Sequence, residues 1–129
     1  MCGILGSWTS RPVDPGAADR ALAAIYHRGP DDEGRLVDGN VFLGMRRLAV
    51  IDLEGGRQPL RNETGDCAVV LNGEIYNYRE LARELRRAGH RLATDSDTEV
   101  AVHLYEDHGE DVARSLRGMF ALAIWDRRR

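Results

Sequence analysis

The chain of 129 residues has no lysine, only two cysteines and no long apolar run. All 18 of its basic residues are arginine, a bias typical of codon usage in a GC-rich genome that carries no function. The two thiols, Cys2 and Cys67, cannot close a zinc site by themselves, and a reducing compartment would disfavour a disulfide between them. The chain starts without a charged leader and has no membrane-spanning stretch, so we expect a cytoplasmic protein without membrane contact.

Composition and charge restrict the class of protein further. The hydrophobic share of 43% and the charged share of 30% are ordinary for soluble globular proteins. A net charge of −3 argues against nucleic acid or an anionic membrane as the main partner. At this length we expect one domain with one core, spanning residues 1–129.

Strand and helix signals alternate along the chain without repeats or linkers. Strands are predicted at residues 3–8, 41–52, 67–71 and 119–125. Helices are predicted to begin at Asp14-Pro15, at Asn77 with Glu80 in a capping box, and at Asp97, with a short helix at 111–116. Gly89 is predicted to end the helix that begins at Asn77. The final strand runs directly into three arginines, which predicts an uncovered sheet edge, an incomplete domain and a tendency to form homo-oligomers.

Cys2 follows the initiator methionine, so removal of Met1 would give an N-terminal cysteine with a free α-amine. The α-amine has a typical pKa of about 7.7–8.0 and the thiol one of about 8.5, so a nucleophile and its base would share one residue. We expect a bridging water to relay the proton between them. The alternative is a small buried residue at the start of a strand.

The pair Asn72-Gly73 follows the apolar run that begins at Cys67. An Asn-Gly pair commonly forms a tight hairpin turn. The Asn72 amide and the unhindered N–H of Gly73 could also act as two donors to one oxyanion. The two interpretations are compatible.

Two charged segments are candidates for binding an amino acid. Arg46 and Arg47 interrupt a predicted strand, and because side chains alternate there, one guanidinium should point inward and bind a carboxylate. The alternative is a single solvated face. Asp97 is either the N-cap of a helix or, beside a cleft, the acceptor of a substrate ammonium group.

A metal site is not expected. Asp95, Asp97 and Glu99 alternate, but their segment lacks the glycine and the distant glutamate of a calcium loop. The histidines are scattered along the chain, and each is predicted to be a surface or packing residue: His27, His90, His103 and His108.

Six short segments follow one another in a distinctive order: Cys2-Gly3-Ile4, Arg28-Gly29-Pro30-Asp31, Arg47-Leu48-Ala49-Val50-Ile51-Asp52, Gln58-Pro59-Leu60, Asn72-Gly73-Glu74-Ile75-Tyr76-Asn77 and Ser96-Asp97-Thr98-Glu99. Together they resemble the class II glutamine amidotransferase domain, and most closely that of the glutamine-hydrolysing asparagine synthetases. The resemblance covers essentially the whole chain without large gaps.

The resemblance implies an α+β fold, the N-terminal nucleophile hydrolase sandwich of two antiparallel sheets between helical layers, here incomplete at its C-terminus. It implies Cys2 as the nucleophile, with Asn72 and Gly73 as the oxyanion hole and as part of the substrate site. The other residues that it implies for binding glutamine are Arg47, Glu74 and Asp97, with Val50 and Ile51 as backbone contacts.

The activity implied by the resemblance is hydrolysis of the side-chain amide of L-glutamine to glutamate and ammonia. In the family the ammonia passes to a synthetase domain or subunit that amidates aspartate. We expect that domain, with its ATP and Mg²⁺, to lie outside this chain, which itself would hold no cofactor. Two alternatives are a catalytically idle module that binds glutamine or docks to a synthetase, and a small redox protein that joins Cys2 to Cys67.

Overall fold

Two antiparallel sheets of three strands each form the centre of the computed structural model, which describes residues 2–48 and 56–129. The strands are β1 (Gly3–Trp8), β2 (Asp32–Asp38), β3 (Val41–Arg47), β4 (Leu60–Arg61), β5 (Cys67–Ile75) and β6 (Gly118–Asp126). The helices are α1 (Pro15–Ala24), α2 (Tyr78–Ala88) and α3 (Glu99–His108), with short 3₁₀ helices at Tyr26–Arg28 and Gly109–Arg114.

The middle strand is β3 in the first sheet and β5 in the second. The first sheet has the order β1-β3-β2 and the second β4-β5-β6. In the first sheet Gly3 lies opposite Arg46, so the residue before β1 is brought to the end of β3. In the second sheet β5 and β6 pair over their whole length, from Cys67 opposite Asp126 to Ile75 opposite Gly118.

Alternation along β3 and β5 sorts the apolar side chains into three layers. Phe42 packs with Ala18 and Leu22 of α1 on the outer face of the first sheet. The side chains between the two sheets form a second layer: Leu36, Leu43, Met45, Ala68 and Val70. A third layer joins the outer face of β5 to α2 and α3. The order helix, sheet, sheet, helices confirms the predicted α+β sandwich.

Three of the predicted helix boundaries are confirmed, although the capping bond predicted at Asn77 does not form. The Asp14 carboxylate accepts the N–H of Gly16 at 3.0 Å, as an N-cap should. Asn77 precedes α2, but its side chain makes no capping bond there. It bonds instead to the segment before β6, accepting the Arg117 N–H at 2.9 Å and donating to the Ser115 carbonyl at 3.0 Å. Gly89 ends α2 in the left-handed region, as predicted.

The predicted N-cap at Asp97 is wrong. The helix α3 begins two residues later, with Thr98 before its first residue and no capping side chain. The Asp97 carboxylate accepts the N–H of Ile75 in β5 at 2.9 Å instead. A tertiary hydrogen bond has therefore replaced the local one, and it ties the start of α3 to the second sheet.

One strand was missed by the sequence analysis, and one predicted turn is wrong. The structure has a strand, β2, over Asp32–Asp38 that was not predicted, because Leu36 is its only buried side chain and the strand lies at a sheet edge. The predicted hairpin turn at Asn72-Gly73 does not form. Both residues lie inside β5, which continues to Ile75, since β6 pairs with them as Ala121 and Phe120.

The last strand, β6, is an edge strand in the part of the chain that the structure describes, as expected. Its end is joined to the other sheet through Asp38 of β2. The Asp38 carboxylate accepts the Trp125 ring N–H at 3.0 Å and the Arg127 guanidinium at 2.8 Å, and these bonds lower the pKa of Asp38. No helix in the described residues has the length and apolar character needed to cross a bilayer.

The layer between the sheets should contribute strongly to stability. Met45 is 1% exposed there, so Met45→Ala should lower the free energy of unfolding by about 2–5 kcal/mol through lost burial and a cavity. The same change at Met119, which is 68% exposed, should alter it by no more than about 0.5 kcal/mol. Urea denaturation measures both values, and equal effects would contradict the assigned core.

Candidate active site

A cavity of about 210 Å³ opens where the end of β3 meets β5 and the start of α3. Its size suits a small molecule rather than a polymer. The walls combine apolar, polar and charged groups, contributed by Cys2, Arg47, Leu48, Gly56, Gln58, Leu71, Gly73, Glu74, Ser96, Asp97, Thr98 and Met119. Five of the residues predicted from the sequence are therefore brought to one cavity: Cys2, Arg47, Gly73, Glu74 and Asp97.

Cys2 is half-buried at the start of β1 and packs against the layer between the sheets. Its sulfur lies 3.4 Å from the Leu48 nitrogen, which donates to it, and 3.7 Å from the Leu48 carbonyl. The Arg28 guanidinium donates to the Cys2 carbonyl at 3.3 Å. The backbone of Leu48 thus orients the thiol, a contact that sequence reasoning missed because it follows from strand pairing alone.

The two adjacent arginines point to opposite sides of the first sheet, as alternation predicted. Arg47 is 6% exposed and lines the cavity. Arg46 lies on the outer face, where it donates to the Leu22 carbonyl at 3.2 Å and pairs with Glu33 at 2.7 Å. A buried guanidinium in the cavity wall is suited to bind a carboxylate.

Close approach of the chain before β2 holds Arg47 in place. The Asp31 N–H donates to the Arg47 carbonyl at 3.1 Å. A side chain at Gly29 would collide with the backbone of Arg46 and Arg47, so only glycine allows this contact. The Arg28-Gly29-Pro30-Asp31 segment therefore supports the cavity wall.

Asp97 supplies a buried carboxylate to the cavity. It is 7% exposed, and burial together with the nearby charge of Glu74 raises its pKa, against the lowering effect of the N–H groups of Ile75 and Thr98. Glu74 also lines the cavity and is exposed. Two carboxylates beside one cavity favour a cationic group between or near them.

Of the two oxyanion donors predicted on β5, Gly73 lines the cavity and Asn72 does not. Gly73 lines the cavity with a φ of 134°, which favours glycine. Asn72 is half-buried between the lining residues Leu71 and Gly73, and it lies on the same face of β5 as Val70. Its side-chain oxygen is buried and has no hydrogen-bond partner among residues 2–48 and 56–129.

Gln58 holds the opposite wall to β5. Its side-chain carbonyl accepts the Leu71 N–H at 2.6 Å, and its amide donates to the Leu71 carbonyl at 3.2 Å and to the Thr98 hydroxyl at 3.0 Å. These bonds link three segments around the cavity. Sequence analysis noted Gln58 only as part of a motif, because its partners lie far along the chain.

Other predicted residues lie elsewhere. Val50 and Ile51 fall outside the described residues. Cys67 is fully buried on the outer face of β5, against α2 and α3, whereas Cys2 packs between the sheets. Because the two thiols lie on opposite faces of the second sheet, this arrangement disfavours the redox alternative. Burial also raises the pKa of Cys67.

All four histidines lie at surface or packing positions, as predicted. His27 and His108 are exposed. His103 is fully buried, and its ring packs edge-on against His90 with 5.2 Å between centroids. Residues that are scattered in the sequence thus form a pair in space.

Comparison with known proteins identifies the family of this chain. A family model described as a glutamine amidotransferase domain matches residues 1–129. The chain belongs to this family. Its fold is also that of glutamine phosphoribosylpyrophosphate amidotransferase from B. subtilis complexed with ADP and GMP, with a TM-score of 0.79 over 96% of this chain and 35% of that one, at 23% identity. A second solved structure, titled the allosteric regulatory enzyme of purine biosynthesis, has a TM-score of 0.57 over 70% of this chain and 22% of that chain, at 28% identity.

Curated relatives of this amidotransferase domain are glutamine-hydrolysing asparagine synthetases. Asparagine synthetase 1 of Bacillus subtilis (strain 168) is 44% identical over 98% of this chain and 21% of its own length. Asparagine synthetase 2 of the same organism is 49% identical over 81% and 14%. The enzyme of Asparagus officinalis is 44% identical over 99% and 22%. The chain thus spans about a fifth of the length of these relatives and is homologous to their glutaminase part.

The strained backbone at Gly73 should make this position of the amidotransferase domain intolerant of a side chain. A Cβ there would collide with the backbone of Met119 and Phe120. Gly73→Ala should therefore cost more than about 2 kcal/mol of unfolding free energy, combining strain and overpacking. Gly65→Ala is the matched control, because Gly65 also has a positive φ of 75° but open space around it, and about 1 kcal/mol is expected. Similar losses in urea unfolding would show that the predicted collision is relieved.

Proposed function

We propose that this chain hydrolyses the side-chain amide of L-glutamine, with Cys2 as the nucleophile. The observation that carries the proposal is the shared cavity of about 210 Å³, in which Cys2, Arg47, Gly73, Glu74 and Asp97 meet. A thiol, a buried cation and two carboxylates around one small cavity match the groups of a free amino acid with an amide side chain.

Arg47 binds the α-carboxylate of glutamine in this proposal, and Asp97 with Glu74 receives the α-ammonium group. Arg47 and Asp97 are both nearly buried, so water competes poorly with the substrate for binding to them. The backbone of Val50 and Ile51 is proposed to contact the substrate beside Arg47. With both charged groups of the amino acid bound, the side-chain amide would be the part of glutamine that faces the Cys2 thiol.

The reaction follows the logic of acyl transfer. The thiolate of Cys2 attacks the amide carbon, and the oxyanion that forms is stabilised by the Gly73 N–H and the Asn72 amide. The α-ammonium of Cys2 protonates the departing nitrogen through a water, so ammonia leaves and a thioester remains. Water then attacks the thioester, which releases glutamate and returns the proton to the thiol. The free α-amine requires the removal of Met1.

The wider setting is also a proposal. The ammonia would pass to an ATP- and Mg²⁺-dependent synthetase domain or subunit that amidates aspartate, the activity for which the curated relatives are named. A reactive N-terminal thiol is best kept reduced in the cytoplasm. Association of copies through the edge strand β6 stays a prediction.

Replacement of the nucleophile tests the activity directly. Cys2→Ala should abolish the release of glutamate and ammonia from glutamine, because no other group in the cavity can form the thioester. Cys67→Ala is the matched control, since it removes the other thiol, on the far face of the second sheet, and should keep the activity. Intact mass must first show that Met1 is absent from both variants.

Glutamine turnover that survives Cys2→Ala would contradict the assigned nucleophile. Glutamine binding without turnover by the Met1-free wild-type chain would contradict the hydrolase and favour the idle module. Calorimetry measures binding and a coupled glutamate assay measures turnover.

The charge of Asp97 gives a pH-dependent prediction. Its pKa is raised by burial and by Glu74, so on acidification it becomes neutral above the ordinary value of about 3.9 for aspartate. On a Cys2→Ala background, which separates binding from chemistry, the affinity for glutamine should fall as the pH is lowered through this range. Adding Asp97→Asn should weaken binding about 30-fold or more at neutral pH and remove that pH dependence.

The asparagine side chain still offers an oxygen to the Ile75 N–H, so the fold should be kept. The control is Asp95→Asn, which alters a nearby exposed carboxylate that does not line the cavity and should leave the affinity unchanged. An equal pH response in the Asp97→Asn variant would assign the dependence to another group.

A further inference from the structure

Four side chains from three parts of the chain meet in a cluster outside the candidate active-site cavity. Glu63 lies in the turn between β4 and β5, His90 follows α2, and His103 and Glu106 lie on α3. One ligand atom from each of them lies within 4.8 Å of the others. The site is separate from the glutamine cavity, because none of the four lines it.

The spacing of these atoms fits a tetrahedral ion. The His103 Nδ1 lies 3.3 Å from a Glu63 oxygen and 3.3 Å from Glu106 Oε2. The His90 Nδ1 lies 3.6 Å from Glu63 Oε1 and 3.6 Å from Glu106 Oε2. Zinc bonds of about 2.0–2.2 Å to nitrogen and oxygen place tetrahedral ligands about 3.3–3.6 Å apart. These four separations match that spacing, but His103 lies beside Oε2 of Glu63 and His90 beside Oε1, so a small adjustment of the Glu63 side chain would complete the ligand set.

Two of the candidate ligand atoms make no hydrogen bond in the described part of the chain. Within the described residues, His103 Nδ1 and Glu106 Oε2 are buried and make no hydrogen bond, although they lie close to each other. His103 is 0% exposed, so water does not compensate this ring. Unsatisfied polar atoms in a protein interior are costly, and a bound cation would satisfy both.

A second set of groups supports the ligands. The other nitrogen of His90 lies 3.2 Å from both oxygens of Asp107, and the other nitrogen of His103 lies 3.5 Å from Glu99. Metal-binding histidines commonly present their second nitrogen to a carboxylate in this way.

The two glutamates are held as well. Glu63 Oε1 accepts the Arg91 N–H at 2.7 Å, and Glu106 Oε1 accepts the Asn62 amide at 2.7 Å. The four ligand side chains are thus oriented by groups outside the cluster, as expected of a built site.

We propose that Glu63, His90, His103 and Glu106 form a structural site for a divalent transition-metal ion, with zinc the best match. Two imidazoles and two carboxylates suit zinc, and their negative charge is balanced by a dication. Four protein ligands leave no open position, so the role is structural rather than catalytic. The ion would tie the β4–β5 turn and the end of α2 to α3.

The metal alone is the probe. The full chain is freed of metal with a chelator and titrated with Zn²⁺ at neutral pH by calorimetry. One ion should bind per chain, and Co²⁺ in its place should give the intense visible absorption of a tetrahedral site. Saturation with zinc should also raise the melting temperature.

Variants test the assignment. Glu63→Gln and His90→Gln should each weaken zinc binding by more than about 100-fold and abolish the rise in melting temperature. Asp107→Asn, which alters only the support of His90, should weaken binding by about 10–100-fold. The matched controls are His108→Gln and Glu110→Gln, which alter exposed residues outside the cluster and should leave binding unchanged.

Three results would overturn the proposal. They are failure of the folded, metal-free chain to bind zinc, binding that Glu63→Gln and His90→Gln leave intact, and a cobalt spectrum without tetrahedral bands. Circular dichroism of each variant shows that the fold is kept. Since zinc binding is measured without glutamine, neither this outcome nor that of the glutaminase assay decides the other.

Discussion

The antiparallel pairing of β1 with β3 is the constraint on which the active site depends. Because Gly3 lies opposite Arg46, the second residue of the chain is placed at the end of β3, where the Leu48 N–H meets the Cys2 sulfur. A slip of one residue would send Arg47 to the outer face and Arg46 into the cavity. The buried layer of Leu43, Met45 and Val70 opposes such a slip, since it would move the apolar side chains of β3 out of the space between the sheets. The packing of these apolar side chains therefore determines that Arg47, rather than Arg46, lines the cavity.

Burial of charge is the second constraint. Arg47 and Asp97 line the cavity while 6% and 7% exposed, and a charge removed from water is costly unless other groups compensate it. The Ile75 N–H compensates part of the cost at Asp97, whose pKa is raised above all by burial. A zwitterion is the ligand that best uses such a cavity, because its two opposite charges are matched by groups that are already in place.

The sequence predicted those features that local pattern determines. Alternation separated Arg46 from Arg47, and the Asp14 cap and the Gly89 terminus followed from residue preferences at helix ends. Prediction failed where distant partners override local preference. The Asn72-Gly73 pair favours a turn, but the ladder with β6 holds it in a strand of nine residues. Asp97 favours an N-cap, but the Ile75 N–H takes its carboxylate. Resemblance to a family supplied the sandwich and the site, which periodicity alone could not have selected.

The cluster of Glu63, His90, His103 and Glu106 was also not predictable from local sequence pattern. Its proposed ligands come from a turn, the end of a helix and one face of α3, so they show no metal-ligand spacing in the sequence. Glu99, which lies 3.5 Å from His103, links this cluster to the candidate active site. Burial raises the pKa of Glu99, but the His103 ring, the Thr94 hydroxyl and the N–H groups of Ala93 and Thr94 lower it to about 2, so the side chain is an anion at neutral pH. Glu99 thereby ties the segment before α3 to the cluster, and two residues earlier that segment presents Asp97 to the cavity. Order in the cluster is therefore one determinant of where the proposed ammonium acceptor lies.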